Sequence, residues 1–263
     1  MSERPDWADL NDRFVWGAGM AALGLLAIVF GGVWFQMLAV FAAAVMVWEL
    51  HTMIAPDKPT PAMLLAALSA SVLAGMIGTQ ELIYLPLLVI PACLGAWFLE
   101  RESVTFFGFA LAILIAGWGL VMFRETFGMV WLIWMVLVVV ATDILGYFGG
   151  RIIGGPKFWP SLSPKKTWSG TVSGWIGAAI VGAIFLTFTN AGRDLPWISV
   201  AVSFASQMGD ILESALKRRL GVKDSSSLIP GHGGLFDRFD GLLGAALVLL
   251  FVALVVEVPE VRL

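Results

Sequence analysis

Three aspartates, six basic side chains and a run of glycines gather in the C-terminal half of this 263-residue chain. Asp210, Asp237 and Asp240 offer hard oxygen ligands, and Lys165, Lys166, Lys217, Arg218, Lys223 and Arg238 offer positive charge. Gly231, Gly233 and Gly234, around His232, let backbone N–H groups approach an anion closely. Carboxylates without thiols suit Mg²⁺ rather than Zn²⁺. Mg²⁺ takes one or two carboxylates and completes its shell with water and phosphate oxygens. Acids for a metal beside many cations point to a polyphosphate substrate, and so to phosphoryl or nucleotidyl transfer. Cys93 is the only cysteine and there are two histidines, which excludes an intrachain disulfide and a Cys/His metal cluster. The familiar soluble phosphate motifs are missing. Residues 150–157 match a P-loop only loosely, since Pro156 displaces the lysine and no Ser or Thr follows Lys157.

These residues must be placed by two polar loops, 149–167 and 217–240, which hold nine of the sixteen basic residues. The segment between them, 195–216, reads as a helix. Stepping 100° per residue from Asp210 puts Ser203, Ser206, Gln207, Glu213, Ser214 and Lys217 in one arc of about 120°. Ionisable groups within a span face a cavity or a partner. The arc therefore predicts a water-filled cavity open to the cytoplasm.

The rest of the chain sets the medium. Hydrophobic residues make up 59% and charged residues 13%. That leaves too little polar surface for a water-soluble globule and excludes an ordinary cytosolic enzyme, a disordered chain and a disulfide scaffold. A formal charge of −3 argues against nucleic-acid binding driven by overall charge. Nine apolar segments, near 14–30, 33–55, 61–78, 82–99, 104–123, 128–147, 168–189, 195–216 and 242–256, are each about long enough to cross a bilayer. Gly31-Gly32 reads as a tight turn between the first two. The expected fold is all-α, a polytopic integral membrane protein of about nine transmembrane helices in a single domain. Residues 1–127 serve as scaffold and 128–263 as the catalytic half. With nine crossings, thirteen basic residues fall on one side and Arg124, Arg193 and Arg262 on the other. The richer side is cytoplasmic by the positive-inside rule. The N-terminus and both polar loops are then inside and the C-terminus outside. No basic n-region or cleavage site marks a signal peptide at the N-terminus.

Residues 214–240 read SALKRRLGVKDSSSLIPGHGGLFDRFD. This stretch resembles the signature of phosphatidate cytidylyltransferases (CDP-diacylglycerol synthases): S-x-apolar-K-R, four residues, K-D, a small residue, then P-x-H-G-G-x-x-D-R-x-D. Upstream, Asp143, Tyr147, Gly150 and Arg151 resemble the family's D-x-x-x-Y-x-x-G-R. Ser163 to Gly170 resemble its S-P-K-K-T-W-x-G. The resemblance implies that CTP and phosphatidate give CDP-diacylglycerol and pyrophosphate, in a homodimer of the bacterial cytoplasmic membrane that meets membrane lipids and no nucleic acid. It implies Mg²⁺, alone or paired with a monovalent cation, held by Asp210, Asp237 and Asp240. Lys217 and Arg238 join the aspartates as catalytic residues, and Ser163, Lys165, Lys166, Thr167, Ser214, Lys217, Arg218, Lys223, Gly233 and Gly234 become phosphate or nucleotide contacts, while His232 either contacts phosphate or sets the glycine-rich turn. Asp224 is either a further ligand or a cap for its loop, and Asp143 either caps the pocket or bonds to nucleotide. A CTP-dependent polyprenol kinase would use the same groups and break a different bond. An ion-coupled transporter fits less well, because the charges sit at one side. Glu49 and His51, closing the second span, read as interfacial, and Cys93 as packing.

Overall fold

The computed structural model describes residues 7–79, 81–229, 231 and 233–259. It is predominantly helical. The order is α1 (Trp7–Phe30), α2 (Gly32–Ile54), α3 (Pro59–Thr79), a 3₁₀ helix (Leu82–Leu88), α4 (Val89–Trp97), α5 (Ser103–Phe127), α6 (Met129–Ile152), strands β1 (Lys157–Trp159) and β2 (Ser163–Thr167), α7 (Trp168–Phe185), α8 (Leu195–Leu220) and α9 (Phe236–Val255). Among the described residues, α2, α3, α5, α6, α7 and α9 are long and apolar enough to cross a membrane. Residues Val15–Phe30 and Leu82–Trp97 form shorter apolar helices. Helix α8 is long enough, at 26 residues, but Asp210, Glu213, Lys217, Arg218 and Arg219 make it too polar to qualify.

Three local outcomes depart from the sequence expectation. The segment 82–99 is not one α-helix. Pro86 lacks an N–H and lies in the 3₁₀ turn before α4 starts. The first polar loop is not all-α but holds an antiparallel hairpin, with Lys157 opposite Thr167 and Trp159 opposite Ser163. Helix α9 begins at Phe236 rather than near 242, so Asp237 and Asp240 lie on its first turns.

The turn at Gly31 forms as expected, with φ of 63°. A Cβ there would fall 1.8 Å from the Arg124 guanidinium. Arg124, in the last turn of α5, donates to the carbonyls of Ile28 (2.8 Å) and Val29 (3.2 Å). Those are carbonyls the end of α1 leaves without helical partners.

Helix α5 is central, with Phe106, Ala110, Ile113 and Leu114 buried against α2, α3, α4 and α9. Helix α7 presents Gly170, Gly174 and Gly177 to α6 and α8, so the three pack backbone to backbone. A Cβ on Gly174 would fall 2.8 Å from Gln207 Nε2 and 3.1 Å from the Thr142 carbonyl. Its opposite face exposes Trp168, Val172, Ile176, Ile180 and Ile184, a four-residue repeat suited to lipid.

Candidate active site

The polar arc of α8 has two different halves. In the inner half, Ser203, Ser206 and Gln207 are buried. Thr142 of α6 donates to Ser203 Oγ at 2.7 Å, Trp175 of α7 donates to Gln207 Oε1 at 3.1 Å, and Gln207 donates to the Thr171 carbonyl at 3.3 Å. Direct hydrogen bonds thus serve Ser203 and Gln207. The accessible part of the arc starts at Asp210, whose side chain is 42% exposed.

Asp210 Oδ2 lies 2.6 Å from Lys166 Nζ, and Ser214 donates to its Oδ1 at 3.3 Å. Lys166 also donates to the Gln207 carbonyl. The β1–β2 hairpin thus delivers one lysine to the middle of α8, while alternation along β2 leaves Lys165 exposed. Asp143 on α6 and Asp240 on α9 both lie within electrostatic reach of Asp210. Asp240 accepts from the Gly241 N–H at 2.6 Å.

One turn further along α8, Lys217 Nζ sits 2.7 Å from Glu213 Oε2 and 2.6 Å from Asp237 Oδ1. Glu213 and Asp237 are 1% and 5% exposed, so this ammonium compensates two buried carboxylates. Asp237 Oδ2 accepts from Gly234 N (2.7 Å), Ser225 N (2.8 Å) and Ser225 Oγ (2.9 Å). Three donors on Oδ2 and Lys217 on Oδ1 make Asp237 the organiser of the turn into α9.

The glycine-rich turn serves the same end. Ile229 N donates to the Gly233 carbonyl at 2.8 Å, closing the turn, and Gly233 has φ of 80°. A Cβ on Gly234 would fall 2.0 Å from Ser225 Oγ and 2.5 Å from Glu49 Oε1. Of the glycine N–H groups suited to an anion, that of Gly234 goes to a protein carboxylate. Gly234 N serves Asp237, while Leu235 N and Phe236 N serve Glu49 at 2.8 and 2.6 Å. Glu49 and His51 are both fully buried inside the protein. The signal that could have found Glu49 is its type: a carboxylate closing an apolar span needs a partner.

The remaining candidates form a rim. Arg218, Lys223, Asp224 and Arg238 are exposed, and Ser163 is half-buried. Thr167 is buried and caps α7, accepting from Gly170 N at 3.2 Å. Tyr147 accepts from Arg151 one turn along α6. His232 lies outside the described residues.

Among the described residues no three Asp, Glu, His or Cys side chains are grouped to hold one metal ion. The donor set still fits Mg²⁺, which needs one or two carboxylates and draws the rest from water and phosphate. Asp210 and Asp240 supply two on facing helices, while Asp237 already serves Lys217, Ser225 and Gly234. Asp143, Asp210, Glu213, Asp237 and Asp240 stand against Lys166 and Lys217. This centre holds more carboxyl groups than ammonium groups, and Arg218, Lys223 and Arg238 are exposed.

A sequence model of the cytidylyltransferase family matches residues 11–256. Curated relatives named phosphatidate cytidylyltransferase include one from Brucella abortus (strain 2308), 43% identical over 140 residues, or 52% of this chain and 52% of the relative. One from Haemophilus influenzae is 42% identical over 125 residues, or 45% of this chain and 43% of the relative. One from Helicobacter pylori is 38% identical over 125 residues, or 47% of each. The chain thus aligns with about half the length of the curated relatives it matches.

Proposed function

This chain belongs to the cytidylyltransferase family, and from that premise we propose that it makes CDP-diacylglycerol and pyrophosphate from CTP and phosphatidate. The observation that carries the proposal is the acid-rich centre with its cationic edge. A surplus of carboxyl groups inside suits a cation, and the exposed Lys165, Arg218, Lys223 and Arg238 suit the phosphates that cation would accompany.

In this reading Asp210 and Asp240 hold Mg²⁺, with Asp143 beside them. When bound, the ion neutralises charge building on the triphosphate. Lys166 orients Asp210, and Lys217 holds Asp237 in the turn that presents Asp240. A phosphatidate oxygen attacks the α-phosphorus of CTP in line. The bond from that phosphorus to the bridging oxygen breaks, and pyrophosphate leaves. Phosphatidate is already an anionic nucleophile, so no general base is needed. The protein positions the reactants and neutralises charge. Nine segments cross the membrane with the site on the cytoplasmic side, so CTP arrives from the cytosol while the lipid keeps its chains in the bilayer. The protein acts as a homodimer in the bacterial cytoplasmic membrane.

The test uses purified protein, phosphatidate, Mg²⁺ and CTP labelled at either the α- or the γ-phosphorus. Label from the α position entering lipid supports the proposal. Label from the γ position entering lipid makes the chain a kinase instead.

A further inference from the structure

We infer that Glu49, in the N-terminal half, is a positioning residue for the active-site turn; this rests on the proposed reaction. Glu49 sits in the penultimate turn of α2, and no part of it is exposed. A carboxylate so buried is costly unless donors surround it. Here three do. Oε1 accepts from Ser226 Oγ at 2.6 Å and Leu235 N at 2.8 Å. Oε2 accepts from Phe236 N at 2.6 Å and lies 3.3 Å from Ser225 Oγ, which stands between the two carboxylates and closer to Asp237. These groups lie 176 to 187 residues away in sequence. They come from both ends of the segment 225–236, so one side chain clasps the turn where it begins and where it enters α9.

The clasp leads into the candidate machinery. Ser225, beside Glu49, donates both its N–H and its hydroxyl to Asp237, and Asp237 in turn accepts from Lys217. Asp240 follows one turn after Phe236, whose N–H Glu49 holds. Leu235 N and Phe236 N are also at the positive end of the α9 dipole, which favours an anion there. A carboxylate fixed in α2 therefore sets where α9 starts, and with it where Asp237 and Asp240 stand. Gly234 has no Cβ because Ser225 and Glu49 occupy that space.

Glu49→Gln keeps the volume and replaces one acceptor oxygen with a donor. Hydrogen–deuterium exchange of the full chain in lipid nanodiscs should show peptides spanning 225–238 exchanging roughly tenfold faster or more, as expected for a lost charge-assisted bond. Steady-state kinetics should show kcat down about tenfold or more, a higher Mg²⁺ concentration for half-maximal rate, and the KM for phosphatidate within about twofold. Glu49→Asp, which keeps the charge, should recover part of both effects. Ser226→Ala, which removes a single donor, should shift both in the same direction by less, and it covers the case in which Glu49→Gln fails to fold. Wild-type exchange in 225–238, or faster exchange with wild-type kcat and Mg²⁺ dependence, would overturn the inference. If the unmodified chain transfers no cytidylyl group, the proposed reaction fails on its own, and exchange still decides whether Glu49 holds the turn.

Discussion

Lys217 and Arg219 lie two residues apart and meet different fates. Lys217 holds two buried carboxylates, whereas Arg219 is 55% exposed and lies 3.4 Å from Glu102 at the start of α5. Lys217→Ala leaves Glu213 and Asp237 without their cation, a change that costs roughly 3–5 kcal/mol when a buried pair loses one partner. The expected outcome is a large fall in thermal stability together with lost turnover. Arg219→Ala should leave both nearly unchanged, since an exposed pair contributes about 1 kcal/mol or less. The three aspartates should also separate. Asp210→Asn and Asp240→Asn should each cost more than about a hundredfold in turnover with folded yield preserved, as expected for groups that hold a metal. Asp237→Asn should lower stability as well, because an amide cannot satisfy four donors. Melting and turnover measured on the same detergent preparations distinguish the two patterns. The split between Lys217 and Arg219 was legible in sequence, because helical periodicity assigns each residue of α8 a face. The Glu49 clasp was not, because its partners follow the chain's return from 176 or more residues away.

At the scale of elements, sequence placed the helices well and mistook what connects them. Apolar runs mark the buried length of a helix. They do not mark a polar first turn, so α9 was expected to begin six residues late. Residues 157–167 alternate too briefly to announce a hairpin, yet that hairpin is what carries Lys166 to Asp210. Glycine substitutions test how tightly the turn into α9 is built. Gly234→Ala must displace Ser225 or Glu49, so turnover should fall by about tenfold or more. Gly108→Ala is the control. It lies inside α5 with nothing within 4 Å of the added Cβ. Gaining helix propensity there should raise stability by up to about 1 kcal/mol. Thermal melts and initial rates of the two variants check both outcomes. A Gly234→Ala protein with normal rates would mean that the turn tolerates movement.

At the scale of the whole molecule, side-chain contacts sort the helix ends into two groups, and this bears on the weakest of the nine expected crossings. At one end, Glu49 meets the turn into α9, Arg219 meets Glu102, and Lys58 meets Glu100 at 3.1 Å and the Phe98 carbonyl at 3.4 Å. At the other, Arg124 meets Ile28 and Val29, and Gln36 meets Glu125. Residues 58 and 100 therefore share an end. Between them α3 runs 21 residues, about 30 Å, away from that end. The chain must come back over 82–97. Seven residues of 3₁₀ helix and nine of α-helix extend about 27 Å, which nearly matches the outward path. Length, not hydropathy alone, thus argues that this broken segment crosses. With Cys93 replaced by serine, Glu81→Cys should react with a membrane-impermeant maleimide added outside intact cells. Glu100→Cys should react only after the cells are opened. Both cysteines reacting from the same side would make 82–97 a re-entrant segment, leave an even number of crossings, and put the C-terminus on the cytoplasmic side.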